Sequence, residues 1–258
     1  MLLCLDIGNS QLHAGLFEGD TLRLQFRKST SPLGSSDEFG VFFASVIREN
    51  GFDPRRVTGV AICSVVPAAV YPVRAACVKY FHQEPFMLQA GAKTGLRVKY
   101  RNPHEVGADR IAGAIAAVQR RPASNVIVVD CGTATTFDIV TAEGDYLGGA
   151  ILPGIGISVE ALAGRTAKLP SVEIARPAAA LGRSTVESIQ AGVYHGHVGA
   201  IRHLVAELTR EAFGGAKAHV IATGGFARLL LTESMFDEVV PELVLLGLKR
   251  AAELNRES

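Results

Sequence analysis

Two apolar runs of this chain end in the same way. Leu2-Leu3-Cys4-Leu5 runs into Asp6-Ile7-Gly8-Asn9-Ser10, and Val126-Ile127-Val128-Val129 runs into Asp130-Cys131-Gly132-Thr133-Ala134. After the first loop, Leu12, Ala14 and Leu16 alternate with polar or small residues. Gly19-Asp20 supplies a turn, and Leu22, Leu24 and Phe26 resume the alternation. That period of two predicts a meander of three strands. Phe137, Ile139, the Gly144-Asp145 turn and Tyr146-Leu147 predict a second meander after the second loop. The repeat of strand, Asp-x-Gly loop and antiparallel return, separated by close to half the chain, reads as duplication of an architecture, with little sequence identity between the halves.

Helical patterns fill the space between the meanders. Phe39, Phe42, Phe43, Val46 and Ile47 predict a helix over 37–50, and Ile111, Ala114, Ile115 and Val118 predict another from Asp109 to Arg121, stopped by Pro122. Ser184-Thr185-Val186-Glu187 has the form of a capping box and opens a long helix towards Phe213. His219 to Ala222 predicts a further strand ending at Thr223-Gly224-Gly225, and Leu243, Leu246 and Leu248 a terminal helix. Strand meanders followed by helices, twice over, imply an α/β chain with a mixed sheet in each half. We place the division at 1–118 and 119–258.

Composition narrows the function classes. Apolar residues make up 48% of 258, enough for a sizeable core. With 26 basic and 25 acidic residues, a net charge of +1 gives no broad field to attract nucleic acid or an anionic membrane. No apolar stretch approaches the ~20 residues of a membrane span. The opening run is cut by Asp6 and has no basic flank, so no signal peptide is expected. Cys4, Cys63, Cys77 and Cys131 form no Cys-x-x-Cys pair and read as reduced core thiols. A cytoplasmic protein is the expectation.

The loops suggest chemistry. Gly8 lets backbone approach a bound group, and successive N–H groups beside Asn9 and Ser10 can face phosphate oxygens. A carboxylate beside polyphosphate needs a cation between them, which makes Asp6 a candidate ligand of Mg²⁺ through water. One such loop alone reads as a turn capped by its Asp. The second adds Thr133, Thr135 and Thr136 as neutral donors for terminal phosphates. Gly224-Gly225 offers bare backbone to a flat ring. The sequence carries no G-x-x-x-x-G-K-S/T, Gly156 is followed three residues later by Val159 where a dinucleotide fingerprint needs Gly, and no protein-kinase or nucleophile-elbow motif occurs. The densest polar segment is Tyr100 to Arg110. Within it, Asp109 reads either as a helix cap or as the acceptor of a hydroxyl proton in phosphoryl transfer, with Arg110 able to fork onto an acceptor carboxylate. His104, His195 and His197 read as non-metal histidines.

Taken together, the two loops, Pro103-His104-Glu105-Val106-Gly107-Ala108-Asp109-Arg110, Gly148 to Ile155 and Ala222-Thr223-Gly224-Gly225 resemble the type III pantothenate kinases, in family order from Leu2 to about Leu248. The resemblance implies two actin-like (ribonuclease H-like) domains with ATP in the cleft between them. It also implies phosphorylation of pantothenate to 4'-phosphopantothenate, the first step towards coenzyme A. On the same ground, Asp6, Ile7, Gly8, Asn9, Ser10, Gln11, Leu12 and His13 match an ATP loop, and Thr133 a further ATP contact. Asp109 matches the general base. Tyr100, Gly107, Ala108, Asp109, Arg110 and Thr185 match pantothenate contacts. Asp130 matches the ligand of a monovalent cation, K⁺ or NH₄⁺. Thr185 in the family reaches across a homodimer interface. Ser10 stands where Thr is common, keeping the hydroxyl. Two alternatives accompany this reading: a non-catalytic transcription accessory factor, and a kinase for another small hydroxy-carboxylate.

Overall fold

The computed structural model describes residues 1–256. In chain order its elements begin with β1 (Leu2–Ile7), β2 (Gln11–Glu18), β3 (Thr21–Ser29), α1 (Ser36–Glu49), β4 (Gly59–Ser64), α2 (Pro67–Phe81), β5 (Phe86–Met87), β6 (Arg97–Val98) and α3 (Ala108–Arg120). They continue with β7 (Val126–Cys131), β8 (Ala134–Val140), β9 (Asp145–Pro153), α4 (Ile155–Arg165), α5 (Thr185–Phe213), β10 (His219–Thr223), β11 (Glu238–Val239) and α6 (Leu243–Arg256). Short 3₁₀ turns sit at Pro54–Arg56, Pro103–Glu105 and Ala227–Glu233. Two compact units result. The first comprises residues 1–96, 101–116 and the terminal helix from Leu243; the second comprises 97–100 and 117–242.

In the first unit the strand order is β3-β2-β1-β4-β5. β1, β2 and β3 form the expected antiparallel meander, and β4 and β5 add in parallel, giving a mixed sheet. One face carries Leu3, Leu5, Ile7 and Leu16 against Phe39, Phe43 and Ile47 of α1 and Val73 and Cys77 of α2. The other carries Cys4, Phe17, Ala61 and Cys63 against Ala112 and Ile115 of α3 and Leu245, Leu248 and Ala252 of α6. The alternation seen along β1 is therefore one of two buried faces rather than of core and solvent, which is why that strand reads as a continuous apolar run. All four cysteines are buried free thiols.

The second unit repeats the plan. Its sheet has the order β11-β10-β7-β8-β9-β6, with β7, β8 and β9 antiparallel and β10 parallel to β7. Ile127, Val129 and Phe137 pack against Tyr194, Val198 and Ile201 of α5 and Ile155 of α4. α5 starts after Ser184 as the sequence predicts, and the Glu187 N–H donates to Ser184 Oγ at 3.3 Å. The Glu187 carboxylate accepts from the Arg183 N–H instead of closing the box on Ser184. A full reciprocal box forms at Ser35 and Glu38, where it starts α1. Among the described residues no helix is long and apolar enough to cross a membrane.

Candidate active site

Asp6 lies at the end of β1, flanked in the sheet by His13 of β2 and by Cys63 of β4. The loop that follows is tight: the Gly8 N–H donates to Gln11 O at 3.1 Å, leaving Asn9, Ser10 and Gln11 exposed. Thr30, just past β3, fastens this loop. Its hydroxyl donates to Gly8 O at 2.8 Å, and its N–H donates to Ser10 O at 3.1 Å. Sequence reasoning did not single out Thr30; its only signal is a Ser-Thr pair closing an alternating strand. The sequence marks Cys63 only as a core thiol. It is buried, and its Sγ also donates to Asp6 Oδ1 at 3.3 Å.

The first unit also brings Asp109 into electrostatic range of Asp6. Burial and, second, the Asp109 charge raise the Asp6 pKa from 3.8 to about 7, against a small lowering from the Cys63 hydrogen bond. Asp6 is half-buried, and the protein packed around its carboxylate disfavours the charged form. Asp109 sits in the first turn of α3, and its Oδ1 accepts from the Arg110 N–H at 2.7 Å. Burial raises its pKa too, partly offset by that hydrogen bond and by the Arg110 guanidinium. Gly107 makes room for it: a Cβ there would lie 2.5 Å from Asp109 Oδ1. Ala108 and Arg110 are half-buried beside it. His13 is held near pKa 4 by burial and by Arg27, so the imidazole is neutral at physiological pH.

This geometry gives a stability prediction. Asp6 binds its proton more tightly folded (pKa about 7) than at its ordinary value of 3.8. Folding is therefore least favoured above pH 7 on its account, and the cost fades as pH falls from 7 towards 4. Asp6→Asn keeps an acceptor for Cys63 and removes the charge. In nucleotide-free protein its melting temperature should exceed the wild type's at pH 8, with the gap closing by pH 4 to 5. A destabilised variant at pH 8 would contradict the burial of this charge.

The other predicted residues lie in the second unit. Asp130 ends β7 as Asp6 ends β1, with its Oδ1 buried. Gly224 packs directly on it. At φ +89°, a Cβ there would overlap Asp130 Oδ1 and the Cys131 backbone, and the Phe226 N–H donates to Cys131 O at 3.0 Å. Gly224 is thus a packing glycine, while Gly225 faces open space. Gly154 lies equally close to the carbonyls of Gly132 and Thr133, so the second loop is clamped from two sides. Of its three threonines, Thr133 is exposed. Thr135 is fully buried with its Oγ1 2.9 Å from His197 Nε2, and the Thr136 hydroxyl turns to Asp138. The expectation of three phosphate donors there narrows to Thr133, because β8 alternation turns Thr135 inward. The Tyr100 ring packs over Gly148, whose φ of +111° and bare Cα admit it. Thr185 is the exposed first residue of α5 and lines a concave surface of about 840 Å³ with Leu162, Leu169, Arg183, Ile189 and Val193.

The profile of the type III pantothenate kinase family matches residues 2–207. This chain belongs to that family. It is 54% identical over 255 residues to a type III pantothenate kinase of Legionella pneumophila (strain Corby), covering 99% of each chain. It is 43% identical over 256 residues to one of Elusimicrobium minutum (strain Pei191), again covering 99% of each. Its fold is that of a solved archaeal actin homolog, with a TM-score of 0.53 at 14% identity over 98% of this chain and 99% of the other. The α/β architecture of two mixed sheets flanked by helices, and the family that the combined motifs resemble, are both as the sequence indicated.

Proposed function

We infer that this kinase-family chain transfers the γ-phosphoryl group of ATP to the primary hydroxyl of pantothenate, giving 4'-phosphopantothenate for coenzyme A synthesis. The observation that carries the reading is the pairing of Asp6 and Asp109 in one unit, each with a raised pKa. Asp109 accepts the hydroxyl proton as the oxygen attacks phosphorus, and ADP leaves with the electrons of the broken P–O bond. A base whose pKa burial raises above the ordinary carboxylate value suits that proton. Asp6, Ile7, Gly8, Asn9, Ser10, Gln11, Leu12 and His13 contact ATP in the first unit, and Thr133 in the second. Arg110 forks onto the pantothenate carboxylate, with Tyr100, Gly107, Ala108 and Thr185 as further contacts.

Two cations belong to this reading. Two carboxylates whose charges repel, in a protein where no group of three or more His, Cys, Asp or Glu among the described residues could hold a metal, fit Mg²⁺ held through water and substrate phosphates. Asp6 would orient it; bound, it offsets phosphate charge. The buried Oδ1 of Asp130 is a hard oxygen of the kind that fits a monovalent cation, K⁺ or NH₄⁺. The apolar side chains of Leu162, Leu169, Ile189 and Val193 in the mixed surface beside Thr185, with Val186 also exposed, support a homodimer through α5. We place the protein in the cytoplasm.

A coupled assay of ADP release tests the reading. Release should require pantothenate and Mg²⁺ and be stimulated by K⁺ or NH₄⁺. Release that ignores pantothenate, or that prefers another hydroxy-carboxylate, would overturn it.

A further inference from the structure

Across the first sheet, the pairing register sets one row on a single face. Cys63 of β4 is level with Asp6 of β1, Asp6 with His13 of β2, and His13 with Arg27 of β3. Directly paired residues point to the same side of a sheet. Arg27 thus stands two strand spacings, about 10 Å, from Asp6 on the Asp6 side. Its strand end is tied to the Asp6 loop by the two Thr30 hydrogen bonds.

The other cations of β3 are committed. Arg23 pairs with Glu18 at 2.9 Å. Lys28 lies on the opposite face, with Nζ 5.2 Å from the Phe39 ring centroid and 5.9 Å from that of Phe42. Arg27 is exposed and, among the described residues, has no carboxylate partner. Its charge is felt at His13, where it helps keep the imidazole neutral. The loop from Asp6 to His13 contains no lysine or arginine. A polyphosphate there meets two carboxylates, and a fixed positive charge at the edge of the row answers that imbalance.

We propose that Arg27 is a phosphate-binding residue of the nucleotide site, reaching along the Asp6–His13 row to the β- or γ-phosphate of ATP. This rests on the reading of Asp6–His13 as the ATP loop. Calorimetric titration of ATP, ADP and adenosine into wild type, Arg27→Ala, Arg27→Lys, Lys28→Ala and Asp6→Asn, with Mg²⁺ present, tests it. Arg27→Ala should weaken ATP and ADP by roughly tenfold to a hundredfold and leave adenosine nearly unchanged. Arg27→Lys should restore part of the loss, and Lys28→Ala should bind ATP like wild type. In turnover, Arg27→Ala should raise the KM for ATP without raising that for pantothenate. Wild-type ATP affinity in Arg27→Ala, or an equal loss for adenosine, would overturn the proposal. If Asp6→Asn weakens ATP while Arg27→Ala does not, Arg27 alone is misassigned. If neither variant alters ATP binding, the loop reading fails with it.

Discussion

Asp109→Asn should lose pantothenate-dependent ADP release by roughly 10²- to 10⁴-fold, the range for removal of a general base. The substitution is nearly isosteric, and an Asn oxygen can still accept the Arg110 N–H that now reaches Asp109 Oδ1 at 2.7 Å. The helix start and the bed provided by Gly107 should survive. Titration with ATP should show affinity close to wild type, because Asp109 is assigned to the acceptor. The variant also removes one of the two causes that raise the Asp6 pKa, so Asp6 should ionise at lower pH. Full turnover in Asp109→Asn would show that the proton goes elsewhere.

Gly224→Ala should be strongly destabilising to the second unit's site. The residue holds φ +89°, a region L side chains rarely enter, and its new Cβ would overlap the Asp130 carboxylate and the Cys131 backbone. Strain and overpacking together predict a loss of about 2–5 kcal/mol in urea unfolding. Gly225→Ala is the matched control, since its Cβ would meet nothing within 4 Å. Any Gly224→Ala protein that folds should also lose stimulation by K⁺ or NH₄⁺, because Asp130 is displaced. Equal stability in the two variants would remove Gly224 from its role as the floor of the Asp130 loop.

The sequence made the duplicated meanders legible because their strand alternation and turn glycines are local signals. α3 and α5 were equally readable, and both fall within a residue of their predicted starts. Cys63 and Thr30 could not be read this way. Each acts across a strand pairing, through a hydrogen bond to a residue far away in sequence. The same holds for Arg27, whose place is set by register rather than by any neighbouring motif. Thr135 misled for the complementary reason. A threonine-rich run looks like a set of donors until the period of the strand sends one of them to His197. Of the Gly224-Gly225 pair offered to a flat ring, Gly224 is packed on Asp130, and Gly225 keeps the open face.

Phosphorus NMR of the product from ATP and pantothenate tests the central claim most directly. The account predicts a single new phosphomonoester on the primary hydroxyl of pantothenate, formed in step with ADP and absent with Asp109→Asn. Inorganic phosphate as the sole new signal, or a phosphoester formed equally well by Asp109→Asn, would contradict it.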